Sequence, residues 1–182
     1  MDRFPILVIL ALLKTSELLL LGKLPICHMN ESPNFDDPKV EHEWCMLQRE
    51  HVEWFLDLQP IETGRIGEWP AFHIAPHVAI WAIESGVTPD QVGWWVITGD
   101  LPTDYFSAME LHHPRQVLAE AAARWQMLLD NVAKGVEDES ISLAGLAENP
   151  ELQEVLRVRI ELLKRTFNQE EFWIQFDKDL ED

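Results

Sequence analysis

The stretch EWPAFHIAPHVAIWAIESG, residues Glu68–Gly86, decides the fold class because its second half is almost entirely apolar. Pro76 stands at the start of the apolar run and Gly86 follows its end. Proline is tolerated in the first turn of a helix, and glycine commonly follows the last one. The pattern therefore predicts a short, fully buried helix over about residues 77–85.

The next segment, VGWWVIT at residues 92–98, is β-branched and aromatic, so it is the best strand candidate in the chain. Successive strand residues point to opposite faces, which places Trp94 and Trp95 on different sides. GDLPTDYFS follows, and its glycine, proline and aspartates predict a loop with one helical turn beginning at Thr103 or Asp104.

Three further segments have helical periodicity. Asp37 and Pro38 suit the start of a helix over about residues 38–58, with His51 on its apolar face as a buried, hydrogen-bonded histidine. Residues 114–134 form an amphipathic pattern before Gly135, and another helix begins after Asn149. The apolar stripe predicted for the first helix consists of Val40, Trp44, Leu47, His51, Phe55 and Leu58. We therefore predict an α+β fold, predominantly helical, as a single small domain with little strand around residues 92–98.

The domain boundaries follow from a change in composition. Residues 1–28 carry two apolar runs too short to span a membrane, and no cleavage site follows them. We interpret them as a non-domain extension produced by a mistaken start, with translation beginning at Met29. A signal peptide or anchor and a genuine structural helix are the alternatives. Residues 29–182 are predicted to be one globular domain whose acidic, aromatic C-terminal tail, from about residue 169, is either docked or mobile.

The charge of the chain limits its partners. The formal net charge is -18, which disfavours nucleic acid and anionic membrane surfaces and favours a basic protein partner. Cys27 and Cys45 form no C-x-x-C pair, so we expect no disulfide framework and a cytoplasmic location. Export or anchoring is the alternative if residues 1–28 are a signal. The oligomeric state does not follow from the sequence.

The central block resembles a known family. GEWPAFHIAPHVAIWAIESG, VGWWVITGDLPTDYFSA and HPRQVLAEAAARW, together within residues 40–130, are similar to an uncharacterised bacterial family named only as a domain of unknown function, DUF4826. The resemblance implies a small soluble bacterial protein. It carries over no catalytic residue.

Polar and aromatic residues of the central block are the candidates for a binding surface or pocket. His73 and His77 have the spacing of a helical metal pair, but Pro76 interrupts the backbone between them, so we expect no metal and no cofactor. Asp100 and Asp104 are predicted to cap loop N–H groups, and the alternatives are that they bind a cation or do acid/base work. The candidates for this binding surface or pocket are Glu68, Trp69, His73, His77, Glu84, Asp100, Asp104 and Tyr105.

Two individual roles are also predicted. Glu84 lies in an apolar segment, so if buried it needs Arg65, Arg115 or Arg124 as a partner. His112 and His113 precede a proline and are expected to cap a helix or lie in a loop.

These features favour a soluble, acidic, non-enzymatic interaction module, for example an immunity-type protein or an inhibitor of a basic partner. The alternative is a small-ligand-binding protein or a novel enzyme with a site between segment 68–84 and loop 98–105. A regulatory subunit that acts through the C-terminal tail is a third hypothesis.

Overall fold

The computed structural model describes residues 6–8, 33–136, 141–143 and 145–181 of the chain. Helices and strands alternate irregularly along this part of the chain. In order they are β1 Ile6–Val8, α1 Pro38–Asp57, β2 Thr63–Ile66, β3 Phe72–Ile74, β4 Val78–Ser85, β5 Val92–Gly99, β6 Asp104–Ser107, α2 Pro114–Lys134, β7 Ile141–Leu143, α3 Pro150–Phe167 and α4 Glu170–Glu181.

A five-stranded antiparallel sheet forms the centre of the fold. Its order is β2-β4-β5-β6, and β3 also pairs with β4, beside the first half of that strand. Ile83 of β4 lies opposite Ile66 of β2, and Ile80 lies opposite Phe72 of β3. The prediction of an α+β fold that is predominantly helical with little strand is therefore wrong in its proportions, since this sheet organises the described residues.

The helix predicted over residues 77–85 is wrong, because residues 78–85 form β4, a strand that pairs along both of its edges. Val78 and Ile80 pack on one side of the sheet, and Trp81 and Ile83 pack on the other. Both faces are buried, so the sequence shows a continuous apolar run without the polar alternation of a half-exposed strand. Gly86 ends a strand here rather than a helix.

The segment around residues 92–107 is partly as predicted. VGWWVIT is a strand, and Trp94 and Trp95 pack in different core clusters on opposite faces of the sheet. The helical turn predicted to begin at Thr103 or Asp104 is wrong, because Asp104–Ser107 forms β6 and pairs with β5. Asp104 is read as a loop residue from its charge, yet it is fully buried within this strand.

The sheet lies between two helical layers. On one face, Val52, Phe55 and Leu56 of α1 pack against Trp81 and Val96 of the strands. On the other face, α2, α3 and α4 cover a larger cluster that includes Trp125 of α2 and Ile160 of α3. In the described part of the chain, one helix consequently lies on one side of the sheet and three lie on the other.

The helices α1, α2 and α3 begin where the sequence predicts them. Side-chain oxygens of Asp37 and Asn149 accept hydrogen bonds from the first backbone N–H groups of α1 and α3, and His113 caps α2 by accepting from Arg115 N–H at 3.1 Å. The predicted capping role of His113 is thus confirmed. The apolar stripe predicted for α1 is wrong in part, since Leu47 and Leu58 are 49% and 51% exposed.

The C-terminal tail is docked. It forms α4, whose Trp173 is 1% exposed, places its ring centre 4.9 Å from that of Phe72 in a tilted arrangement and donates its indole N–H to the Thr166 carbonyl at 3.0 Å. Most of the residues 1–28 lie outside the described residues, and the predictions made for them remain predictions. Within the segment, β1 pairs in parallel with β7. Among the described helices, none is long and apolar enough to cross a membrane.

Candidate functional site

The two candidate histidines point into different layers of the fold. His73 lies on β3 and its Nε2 is 2.9 Å from a carboxylate oxygen of Glu41, on α1. Trp69 also contacts His73, because its ring lies edge-on to the His73 ring. The Trp69 ring in addition stacks on the ring of His42 of α1. His73 and Trp69 therefore belong to an aromatic and histidine cluster between the sheet and the first turns of α1.

His77 and Asp100 meet at one end of the sheet instead. His77 ends the turn from β3 to β4, and the N–H of Asp100, just after β5, donates to the His77 carbonyl at 3.0 Å. The Asp100 carboxylate forms an ion pair with Arg159 of α3. This end of the sheet thus faces the three-helix layer, whereas His73 faces α1.

The two side chains of His73 and His77 therefore do not form a shared site, despite their spacing of four residues. Each lies beside a different helix, as the interruption by Pro76 suggests. Within residues 33–136, 141–143 and 145–181, no group of three or more His, Cys, Asp or Glu side chains could hold a metal ion. The sequence prediction for these residues as a binding surface stays a prediction.

Asp104 is held by a buried network on the side of α2. Both of its carboxylate oxygens accept from Nη1 of Arg124 at 3.1 Å, and one accepts from Tyr105 N–H at 2.8 Å. The Arg124 guanidinium also lies 4.1 Å from the centre of the Phe106 ring. Burial raises the pKa of Asp104 to about 6, and the Arg124 charge opposes that rise. Carboxyl groups with perturbed pKa values occur both at functional sites and in structural ion pairs. Here every contact of the Asp104 carboxylate is with another part of the protein.

The remaining candidates lie apart from these residues. Tyr105 faces α1, where it packs against Phe55 and Trp94. Glu84 lies at the opposite end of β4 from His77, where hydrogen bonds from Arg65 and the backbone lower its pKa to about 2. Arg65 is one of the partners that the sequence proposes for Glu84. Glu68 lies exposed in the connection between β2 and β3.

His51 has the environment that the sequence predicts. It is half-buried, and its Nε2 lies 2.9 Å from the hydroxyl of Thr103, in the loop before β6. Desolvation lowers the pKa of His51. The contact fixes α1 to the loop that carries Asp100, and it identifies His51 as a structural histidine.

The predicted binding residues do not include the outward side of α1, which carries apolar and acidic side chains in one row. Trp54 is 51% exposed, in line with the half-exposed Leu47 and Leu58. Exposed acids alternate with these apolar residues. We call this surface the α1 outer face, and it consists of Glu43, Leu47, Glu50, Trp54, Asp57 and Leu58.

A signal for the α1 outer face is present in the sequence. Residues 43, 47, 50, 54 and 57 have the spacing i, i+4, i+7, i+11 and i+14, which places them on one side of a helix. The core stripe predicted from helical spacing includes Leu47, which is 49% exposed in the structure. The true core side is narrower and is centred on Cys45, Val52, Phe55 and Leu56.

Cys45 contributes to the core and not to a reactive site. It is fully buried on the inner side of α1, and burial together with the nearby Glu41 charge raises its pKa to about 11. The thiolate is the nucleophilic form of cysteine, so a raised pKa keeps this side chain inert.

Comparisons with known proteins give a family and no activity. No curated protein and no solved structure matches the chain. The profile of one family, described as "Domain of unknown function (DUF4826)", matches residues 38–173, which extend from the first residue of α1 to Trp173 of α4. The match includes the whole five-stranded sheet and the helices on both of its faces, and the chain therefore belongs to the DUF4826 family.

Proposed function

We propose that this protein is a non-enzymatic interaction module that binds a basic protein through the α1 outer face. The observation that carries the proposal is the row of three half-exposed apolar side chains, Leu47, Trp54 and Leu58, between exposed carboxylates. A row of this kind combines the apolar anchor and the charged rim that protein interfaces use.

The apolar residues would supply the affinity. Tryptophan is enriched among the residues that dominate binding energy, since it buries a large area and loses little side-chain freedom. Trp54 lies in the middle of the α1 outer face, about 6 Å along the helix axis from Leu58 and about 10 Å from Leu47. These three side chains could enter adjacent pockets of one partner.

The acidic residues would select the partner. Five acids and two bases lie on α1, and one of the bases, Arg49, is occupied by the backbone carbonyls of Gly67 and Ile66. The chain has a net charge of -18, which adds attraction for a basic surface when the ionic strength is low. An immunity-type protein or an inhibitor of a basic toxin or nuclease is the concrete form of this proposal.

The proposal is tested by affinity capture from the native host with three baits: the wild type, Trp54→Ala and Met109→Ala. Met109 is 86% exposed and lies after β6, so its loss removes a comparable exposed apolar side chain from another surface. We expect the wild type and Met109→Ala to retain the same basic protein. Trp54→Ala should lose it, with roughly 30-fold weaker binding in purified form, the effect of removing an interface anchor.

Two results would refute the proposal. One is that Trp54→Ala retains the captured protein as well as Met109→Ala does. The other is that no basic protein is captured by the wild type under low-salt conditions, where charge attraction is strongest.

One observation favours the alternative of a ligand-binding protein or an enzyme. Of the segments 68–84 and 98–105, the structure brings His77 and Asp100 together beside α3. A thermal-shift screen with metal ions and small metabolites, on the wild type and Asp100→Asn, would test this candidate. Shifts in the wild type that disappear in Asp100→Asn would favour it, and no shift at all would count against it.

A further inference from the structure

The α3 helix has a small net positive charge in an acidic chain, with four basic and three acidic residues. It carries Arg157, Arg159, Lys164 and Arg165, whereas the chain as a whole has 14 basic and 32 acidic residues. Three of the four basic side chains, together with His77, line a groove of about 420 Å³ between α3 and the turn from β3 to β4. The groove lies in the three-helix layer, away from the α1 outer face.

The carboxylates around the groove already have cationic partners. Glu154 is paired with Arg157 at 2.6 Å, and Glu161 is paired with Lys164 at 2.9 Å. Asp100 is paired with Arg159. These acids therefore leave part of the positive charge in the groove uncompensated.

Three donor groups around the groove lack an acceptor within the described residues, two of them exposed and one shielded from solvent. Among the described residues, neither the Arg165 guanidinium nor the His77 ring has a hydrogen-bond acceptor, and both residues are exposed. The Nε of Arg159 is shielded from solvent and also has no acceptor within the described part of the chain. A buried donor without an acceptor is costly, so a group that supplies one would be favoured.

We propose that this groove binds a small organic anion, with its phosphate or carboxylate group against Arg165, His77 and the Arg159 side chain. Arginine presents a planar fork of donors that matches oxyanions of both kinds. Val158 and Leu162 also line the groove, so the ligand would carry an apolar body next to its anionic group.

The large negative charge of the chain does not prevent such binding. At physiological ionic strength, charges separated by more than about 8 Å are largely screened. The groove arginines therefore determine the local potential, while distant acids contribute little. The proposal does not depend on the function assigned to α1.

The test is an NMR titration of the wild type with phenyl phosphate, benzoate and phenol as probes. We expect chemical-shift changes at His77, Val158 and Arg165 with one or both anions and none with phenol at equal concentration. Comparison of the two anions identifies the preferred group. Inorganic phosphate, as a fourth probe, should bind more weakly than phenyl phosphate because it lacks the apolar body.

Two variants of equal charge provide the control. Arg165→Gln should weaken binding of the preferred anion about tenfold, the effect of one charge-assisted hydrogen bond. Lys39→Gln removes the same charge from an exposed site on α1 and should leave binding unchanged. Equal weakening in both variants, equal shifts with phenol, or no shifts at the groove with either anion would overturn the proposal.

Discussion

Arg124 on α2 places its Nη1 atom 3.1 Å from both carboxylate oxygens of Asp104, although Asp104 is fully buried in the edge strand β6. The pair joins the sheet to the three-helix layer. Removing one partner of a buried ion pair leaves an uncompensated charge, which is much more destabilising than losing an exposed pair.

Arg124→Leu should therefore lower the free energy of unfolding by about 3–5 kcal/mol at pH 8. At pH 5 the loss should be smaller, because without the guanidinium the Asp104 carboxyl takes up a proton and no longer buries a charge. Urea denaturation at both pH values measures this. Arg65→Leu, which breaks an exposed pair with Glu84, is the control and should change stability far less. Equal losses in the free energy of unfolding at pH 5 and pH 8 for Arg124→Leu would contradict a buried ion pair between Arg124 and Asp104.

The wild-type Asp104 should titrate with a midpoint of about 6, compared with 3.8 for an ordinary aspartate. Between these values the folded chain holds a proton that the unfolded chain has lost. The contribution of Asp104 to the free energy of unfolding thus declines as the pH rises from about 4 to about 6. Carbon-13 NMR of the Asp104 carboxyl measures the midpoint directly. A midpoint below 4 would show that the attraction of Arg124 outweighs the desolvation.

Gly99→Ala should be strongly destabilising because Gly99 has a φ of 132° and a Cβ there would lie 2.5 Å from the His77 carbonyl oxygen. We expect a loss of about 3 kcal/mol or more in the free energy of unfolding. Gly135→Ala is the matched control, since Gly135 also has a positive φ but open space around it. That change should cost only about 1 kcal/mol. Similar losses in the two variants would show that the close approach to His77 is unimportant.

Trp173→Ala should release α4 from the sheet. The side chain is 1% exposed and packs against Phe72, so its truncation should cost about 3–5 kcal/mol. Limited proteolysis should then cut α4 in Trp173→Ala but not in the wild type or in Ile174→Ala, whose side chain is 48% exposed. Resistance of α4 in Trp173→Ala would indicate that other contacts hold the helix.

The sequence correctly predicts the helices that have one apolar side and one polar side. α1, α2 and α3 have caps and amphipathic patterns, and their positions agree with the structure. β4 is missed because helices cover both of its faces, which removes the alternation that marks a half-exposed strand. β6 is missed because the charge of Asp104 indicates a loop. The residue that compensates this charge, Arg124, lies 20 residues further along the chain and reaches Asp104 only through tertiary packing.

The candidate site was only partly predictable for similar reasons. His77 and Asp100 do meet, since a hairpin and a neighbouring loop share one end of the sheet. Helical spacing groups His73 with His77. The two residues instead lie on either side of a turn between strands, so their side chains reach different layers. The exposure of Trp54 is not predicted, because the residue type alone does not distinguish an exposed tryptophan from a core one.

A single binding measurement tests whether the α1 outer face is an interface. It is the dissociation constant of the captured partner for the wild type, Glu50→Lys and Glu120→Lys, at low and moderate salt. Both acids are exposed, but Glu120 lies on α2, on the other side of the sheet. We predict that Glu50→Lys binds about tenfold more weakly, a cost of about 1.4 kcal/mol, and that added salt weakens the wild type. Equal effects of the two substitutions, or binding that does not respond to salt, would contradict the proposed interface.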